Sequence, residues 1–253
     1  MAEFVGGFAT SHTLMASTGV EPQAARVVNG MVEIGQRVRA LEPDLVVLVS
    51  NDHLFTFDLG LQAPFIIGVD DWHTPYGEMD IPREPHRGHR AFAEEFAGFA
   101  AAEGFDIAQG QGLQLDHGMA IPLMFIDPGR QLPIVPLYLN IMMQPMPNFA
   151  RSLALANVLR NFVLNACRSV ERVVVVGTGG LSHWVGLEKV DVHEAWDRKF
   201  LDDLSQGNWS HWAGLTESEV ATEAGNGGLT VYKYSCAEFI NYRRFTWEYP
   251  CAC

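Results

Sequence analysis

Four of the nine histidines stand just beyond short apolar runs. His12 follows Glu3-Phe4-Val5-Gly6-Gly7-Phe8-Ala9 and the pair Thr10-Ser11, and His53 follows Leu45-Val46-Val47-Leu48-Val49-Ser50. His117 follows a short apolar or alternating stretch from Ile107 to Leu115, flanked by Asp116 and Gly118. His183 ends the segment Gly177-Thr178-Gly179-Gly180-Leu181-Ser182-His183, which succeeds Arg172-Val173-Val174-Val175-Val176. In an α/β sheet, groups just past the carboxyl ends of strands line the crevice where ligands bind. A loop with three glycines there lets backbone approach a ligand closely. Neutral imidazoles suit zinc, iron, copper or nickel, and two histidines with one carboxylate and open positions favour non-haem Fe(II). Histidines outside the metal shell would serve as acid, base or hydrogen-bond donor. No cysteine stands near these histidines, which argues against a structural zinc site.

The elements that must position them alternate. A helix is expected from Ala24 to Leu41, where Val27, Val28, Met31, Val32, Ile34 and Val38 recur at helical spacing behind Pro22. With the flanking strands it forms a β-α-β unit whose crossover should be right-handed. Residues 60–88 are rich in Pro, Gly, Asp and aromatics and are expected to form a long functional loop or flap. Within it, Trp72, Tyr76 and Arg83 are candidates to shape a pocket. Gly88 to Glu103 predicts a helix with Phe92, Phe96 and Phe99 on its core face. A strand is expected over Leu132–Leu139, an amphipathic helix over Phe149–Cys167, and mostly helix over 194–224. His73, His86, His89, His193 and His211 are expected to be ordinary surface or structural histidines.

The 253 residues, 48% hydrophobic and 19% charged, suffice for one sizeable α/β domain with a buried core. The expected architecture is a single domain, a central mostly parallel or mixed sheet flanked by helices, with the active site at the carboxyl ends of strands. Thirty acidic against 17 basic residues give a net charge of −13, which argues against nucleic acid and anionic membrane surfaces as partners. Cys167, Cys236, Cys251 and Cys253 make no zinc-type Cys-x-x-Cys pair and no disulfide framework is expected. No signal-peptide pattern and no apolar run of about 18 residues stands out, so a cytoplasmic protein is expected.

Thr10-Ser11-His12, Asn51-Asp52-His53, Leu115-Asp116-His117-Gly118 and Gly179-Gly180-Leu181-Ser182-His183 together resemble the class III extradiol ring-cleavage dioxygenases. This superfamily includes the protocatechuate 4,5-dioxygenase catalytic subunit and 2,3-dihydroxyphenylpropionate 1,2-dioxygenase. The resemblance runs from about residue 4 to 245, with the four motifs in the family's order. It implies that His12 and His53 are ligands to Fe(II). It implies that His183 is the catalytic acid/base and that His117 is a second active-site histidine that binds substrate and stabilises charge on oxygen. The third ligand of the family is a glutamate within Glu-x-x-Asn-aromatic, matched here by Glu238-Phe239-Ile240-Asn241-Tyr242. A catecholic substrate and O2, a homo-oligomer and, in some relatives, a small lid subunit are further implications. Asp52 is the expected hydrogen-bond partner of a ligand histidine by its place in sequence. Two other readings use the same scaffold: a zinc-dependent enzyme, and a non-enzymatic binding protein.

Overall fold

In the computed structural model, residues 1–12, 18–55, 62–141, 143–144, 146–182, 192–208 and 210–225 are described. The chain runs β1 (Glu3–Thr10), α1 (Glu21–Ala40), β2 (Leu45–Asn51), β3 (Phe65–Gly68), β4 (Trp72–His73), β5 (His86–Arg87), α2 (Arg90–Ala102) and β6 (Ala108–Gly110). It continues with α3 (His117–Ile126), β7 (Ile134–Leu139), α4 (Phe149–Asn165), β8 (Arg172–Thr178), α5 (Glu194–Gln206), α6 (Ser210–Ala213) and α7 (Glu217–Ala224). Six strands form one sheet in the order β1-β8-β2-β7-β3-β6, and β4 pairs with β5 in a separate hairpin. β1, β8, β2 and β7 are mutually parallel, whereas β3 is antiparallel to β7 and parallel to β6. The expected α/β architecture with a mostly parallel, mixed sheet is therefore the observed one.

Both faces of the sheet are covered, which is why its central strands read as unbroken apolar runs. Every residue of β2 and β7 is buried. Alternate side chains serve opposite layers. Val46, Leu48, Val174 and Val176 pack with α1 and α3, while Val47, Val49, Val173 and Val175 pack with α2 and α4. Phe92 and Phe96 of α2 lie in that second layer, as expected, with Phe99 packed against them. Trp196, Phe200 and Trp212 extend it, with Trp212 meeting both other rings edge-on at 5.2 and 4.9 Å.

Two expectations change. Residues 60–88 are not one long loop: Phe65-Ile66-Ile67 are buried between β7 and β6 as β3, and the segment closes through the β4–β5 hairpin. β1 and β2 of the expected β-α-β unit lie parallel in the one sheet, with β8 between them. His117 does not directly follow a strand but is the first residue of α3, with β6 ending at Gly110. No helix among the described residues is long and apolar enough to cross a membrane.

His73 and His86 face each other across the hairpin and are 0% and 4% exposed. Neither ring nitrogen of His73, nor Nδ1 of His86, has a hydrogen-bonding partner among the described residues. Burial disfavours the charged ring and drives both pKa values from 6.5 to about 4. At His73 the Asp70 and Asp71 carboxylates oppose this and the His86 ring adds to it; at His86 Arg130 adds to it and Asp127 opposes it. The unfolded chain therefore takes up these protons first as pH falls. Their contribution to stability is complete above pH 6.5 and disappears on descending toward pH 4, by roughly 3 kcal/mol for each histidine. Urea midpoints measured from pH 7.5 to 4 should fall steeply below pH 6.5, and His86→Gln should flatten that slope by about half. An unchanged slope in the variant would show that other groups govern the acid limb.

Candidate metal and catalytic site

His12, His53 and His117 converge although they come from three separate segments. His12 lies two residues beyond β1, His53 two residues beyond β2, and His117 opens α3. Each offers one ligand atom, and the three atoms lie within 4.8 Å of one another. The ring centroids are 4.8 Å apart for His12 and His53, 5.5 Å for His12 and His117, and 4.2 Å for His53 and His117. His12 is 7% exposed, and the other two are half-buried.

Two carboxylates orient two of these rings. Asp116 is wholly buried; its Oδ2 lies 2.9 Å from His53 Nδ1 and accepts the His53 backbone N–H at 3.1 Å. Asp116, not Asp52, is thus the carboxylate on His53; Asp52 accepts the backbone N–H of Leu54. Sequence proximity favoured Asp52, but His53 turns its ring toward the start of α3. Glu78, in a short 3₁₀ turn (Glu78–Asp80), places Oε1 3.1 Å from His117 Nδ1 and also accepts the His117 backbone N–H. A carboxylate only accepts, so each Nδ1 donates and each Nε2 keeps its lone pair. Burial, then the neighbouring His53 ring, holds His117 below the ordinary histidine pKa, while Asp116 and Glu78 pull the other way. Neutral imidazoles with Nδ1 held by carboxylates are the form in which histidines bind a divalent cation, so the donor set fits one.

The local sequence explains why these segments meet. Pro122 inside α3 has no N–H, which releases the carbonyl of Gly118 four residues earlier. That carbonyl accepts the Thr178 hydroxyl at 2.6 Å, and Thr178 Oγ1 also pairs with Ser50 Oγ at 2.9 Å. The ends of β8 and β2 are thereby tied to the first turn of α3. Gly118 has no room for a side chain: a Cβ would lie 2.5 Å from Ser50 Oγ and 2.7 Å from His53 Cε1.

The glycine-rich loop after β8 is anchored as far as it is described. Gly179 N–H donates to Thr10 O at 2.8 Å. Ser182 donates its N–H and its hydroxyl to the two oxygens of Asp197, each at 2.9 Å, and Ser182 Oγ accepts the His193 backbone N–H at 2.7 Å. Burial pushes the Asp197 carboxyl up. His183 and Glu238 lie outside the described residues, as do Cys236, Cys251 and Cys253. Beside His117, the Phe55 ring packs edge-on at 6.1 Å and meets Tyr76 at 5.2 Å. Of the other loop candidates, Trp72 is 58% exposed, and Arg83 donates to the Tyr76 carbonyl at 2.5 Å. A separate cavity of about 640 Å³, lined by Asp44, His89, Pro133 and Glu171 among others, opens near the amino ends of β2, β7 and β8, and none of His12, His53 and His117 lines it.

Glu78 escaped the sequence reading. It stands in a segment with several acids, and no local pattern separates it from Asp80 or Glu84. Two outcomes follow from this geometry. Asp116→Asn should weaken Co(II) or Fe(II) binding by about 10- to 100-fold in a chelator competition; unchanged affinity would mean that Asp116 does not orient a ligand. Gly118→Ala should lower both the melting temperature and metal affinity, because the new methyl displaces Ser50 or His53; unaltered values for both would show that α3 can shift freely.

Comparison with known proteins gives a consistent picture. Residues 7–235 match the family model described as the catalytic LigB subunit of aromatic ring-opening dioxygenase. A 2,3-dihydroxyphenylpropionate/2,3-dihydroxicinnamic acid 1,2-dioxygenase of Klebsiella pneumoniae (strain 342) is 34% identical over 195 residues, 72% of this chain and 59% of that protein. The enzyme of the same name from Escherichia coli (strain K12 / DH10B) is 33% identical over 176 residues, 66% of this chain and 53% of that one. The chain thus matches less than two thirds of the length of these relatives. A solved structure of an uncharacterized Escherichia coli K12 protein covers 83% of this chain and 81% of its own, with 14% identity and a TM-score of 0.49.

Proposed function

Because the chain belongs to the family of the catalytic LigB subunit of aromatic ring-opening dioxygenases, we propose that it is an extradiol dioxygenase that opens a catecholic ring with O2 in aromatic-compound catabolism. The observation that carries this reading is the meeting of His12 and His53, just past the carboxyl ends of β1 and β2, with His117 at the start of α3. In this reading His12, His53 and Glu238 would hold Fe(II), which would supply binding of catechol and O2 and electron transfer between them. His183 takes the proton released by a catechol hydroxyl and returns it later in ring opening. His117, with Nδ1 held by Glu78, accepts a hydrogen bond from a substrate hydroxyl through its unprotonated Nε2. Burial and the neighbouring His53 ring favour the neutral form of His117. The Phe55 and Tyr76 rings beside it suit contact with a flat aromatic substrate. Both oxygen atoms enter the product, a ring-opened semialdehyde or oxo acid.

A second reading is favoured by the same three imidazoles: a His12, His53 and His117 site with an open position, which suits zinc. Anaerobic reconstitution with Fe(II), followed by air and a panel of catechols, separates the two. The dioxygenase reading expects oxygen uptake and a yellow product. His12→Ala and Glu238→Ala should lose iron and activity, whereas His183→Ala should keep iron and lose activity. Iron retained in Glu238→Ala but lost in His117→Ala would move the third ligand to His117. Absence of oxygen uptake with every catechol, with zinc retained instead, would overturn ring cleavage.

A further inference from the structure

Glu78 is costly where it stands. Its side chain is 11% exposed, and Oε2 is buried without a hydrogen-bonding partner among the described residues. The backbone around it is left-handed on both sides: Gly77 has φ 91°, Met79 φ 56° and Asp80 φ 59°. Glycine accepts this conformation, but methionine and aspartate do so at an energetic cost. Helix capping accounts for part of the arrangement. Asp116 occupies the N-cap of α3 without a side-chain capping bond, since its carboxylate is directed at His53, and Glu78 accepts the N–H of His117, the first helical residue. Capping does not account for the second contact, from the same Oε1 to the ring Nδ1 of His117.

We propose that Glu78 is a positioning residue of the active site, which holds the His117 ring in the Nδ1–H tautomer and so turns an unprotonated Nε2 to its chemical task. A free neutral imidazole is under no such constraint; here the carboxylate on one nitrogen decides which lone pair the other presents. Asp116 does the same for His53, so the two half-buried histidines carry matched carboxylates from different parts of the chain. In the ring-cleavage reading, on which the kinetic part of this inference rests, His117 then receives a proton or hydrogen bond from substrate. Glu78 balances the charge that this creates.

The test is Glu78→Gln, which replaces an acceptor-only carboxylate by an amide that can present either its oxygen or its NH2, so that the contact at the ring no longer fixes which nitrogen of His117 carries the proton. Long-range ¹H–¹⁵N correlation of the metal-free protein should report His117 with a protonated Nδ1 in the wild type. The variant should shift toward the Nε2–H form or a mixture. With Fe(II) and a cleaved catechol, kcat should fall about 10- to 100-fold while KM stays within about twofold. The double variant with His117→Ala should be no slower than His117→Ala alone. If Glu78→Gln does not fold, Glu78→Asp, which keeps the charge but withdraws it from the ring, replaces it with the same expected shifts. An unchanged tautomer, or losses that multiply in the double variant, would overturn the assignment. If the wild type cleaves no catechol, the functional reading fails, and the tautomer measurement still decides the role of Glu78.

Discussion

One buried hydroxyl joins the parts of this protein that carry its chemistry. Thr178 lies at the end of β8, wholly buried, and its Oγ1 reaches both Ser50 at the end of β2 and the Gly118 carbonyl in α3. That carbonyl is available because Pro122, four residues on, has no N–H to offer it. A neutral hydrogen bond contributes only about 1 kcal/mol net, but a buried polar group left alone costs about 1–3 kcal/mol. The arrangement is therefore one that the fold cannot relax without penalty. It fixes the register of three segments at once: the one after β2 that bears His53, the helix that opens with His117, and the loop that leads from Gly179 to Ser182.

On this frame the carboxylates divide their work. Asp116 sits where an N-cap side chain would ordinarily satisfy the first turn of α3, yet its Oδ2 serves His53. Glu78 arrives from outside the helix and meets both the backbone and the ring of His117. The negative charge also has a local meaning. Two carboxylates behind three clustered imidazoles make the place favourable for a dication, independent of the overall charge of −13. The same acids oppose, but do not overcome, the burial that keeps His117 below its ordinary pKa.

What the sequence made legible follows the range of the interactions. The apolar runs Leu45–Ser50, Leu132–Leu139 and Arg172–Val176 became β2, β7 and β8 because hydrophobic periodicity is local. His12 and His53 fall together because β1 and β2 are parallel strands that end at one edge of the sheet, and His117 joins them from the start of α3. The Phe65–Gly68 strand was hidden: its pattern is four residues long, surrounded by turn formers, and only pairing with β7 and β6 makes it a strand. Choosing Asp116 over Asp52 as the partner of His53 required knowing that α3 begins against the end of β2, a contact between residues 63 positions apart. Glu78 and His117 are 39 apart, and no spacing rule connects them.

A side chain on a loop can hold a distant ring only if the loop itself is held. The segment that carries Glu78 is clamped at both ends. Trp72-His73 pairs with His86-Arg87 across the hairpin, so the intervening residues start and finish at one place. Just inside, Tyr76 N–H donates to Leu115 O at 2.7 Å, and Leu115 N–H donates to Thr74 O at 2.9 Å. These bonds attach the loop directly before Asp116 and His117. Arg83 folds back over Gly77, whose missing Cβ leaves space for the guanidinium stem, and donates to the Tyr76 carbonyl. The left-handed turn at Met79 and Asp80 persists because the contacts on either side leave the backbone little alternative. Buried, neutral His73 and His86 form the base of the same clamp. The stability of that uncharged pair and the aim of the Glu78 carboxylate are thus two consequences of one closed segment.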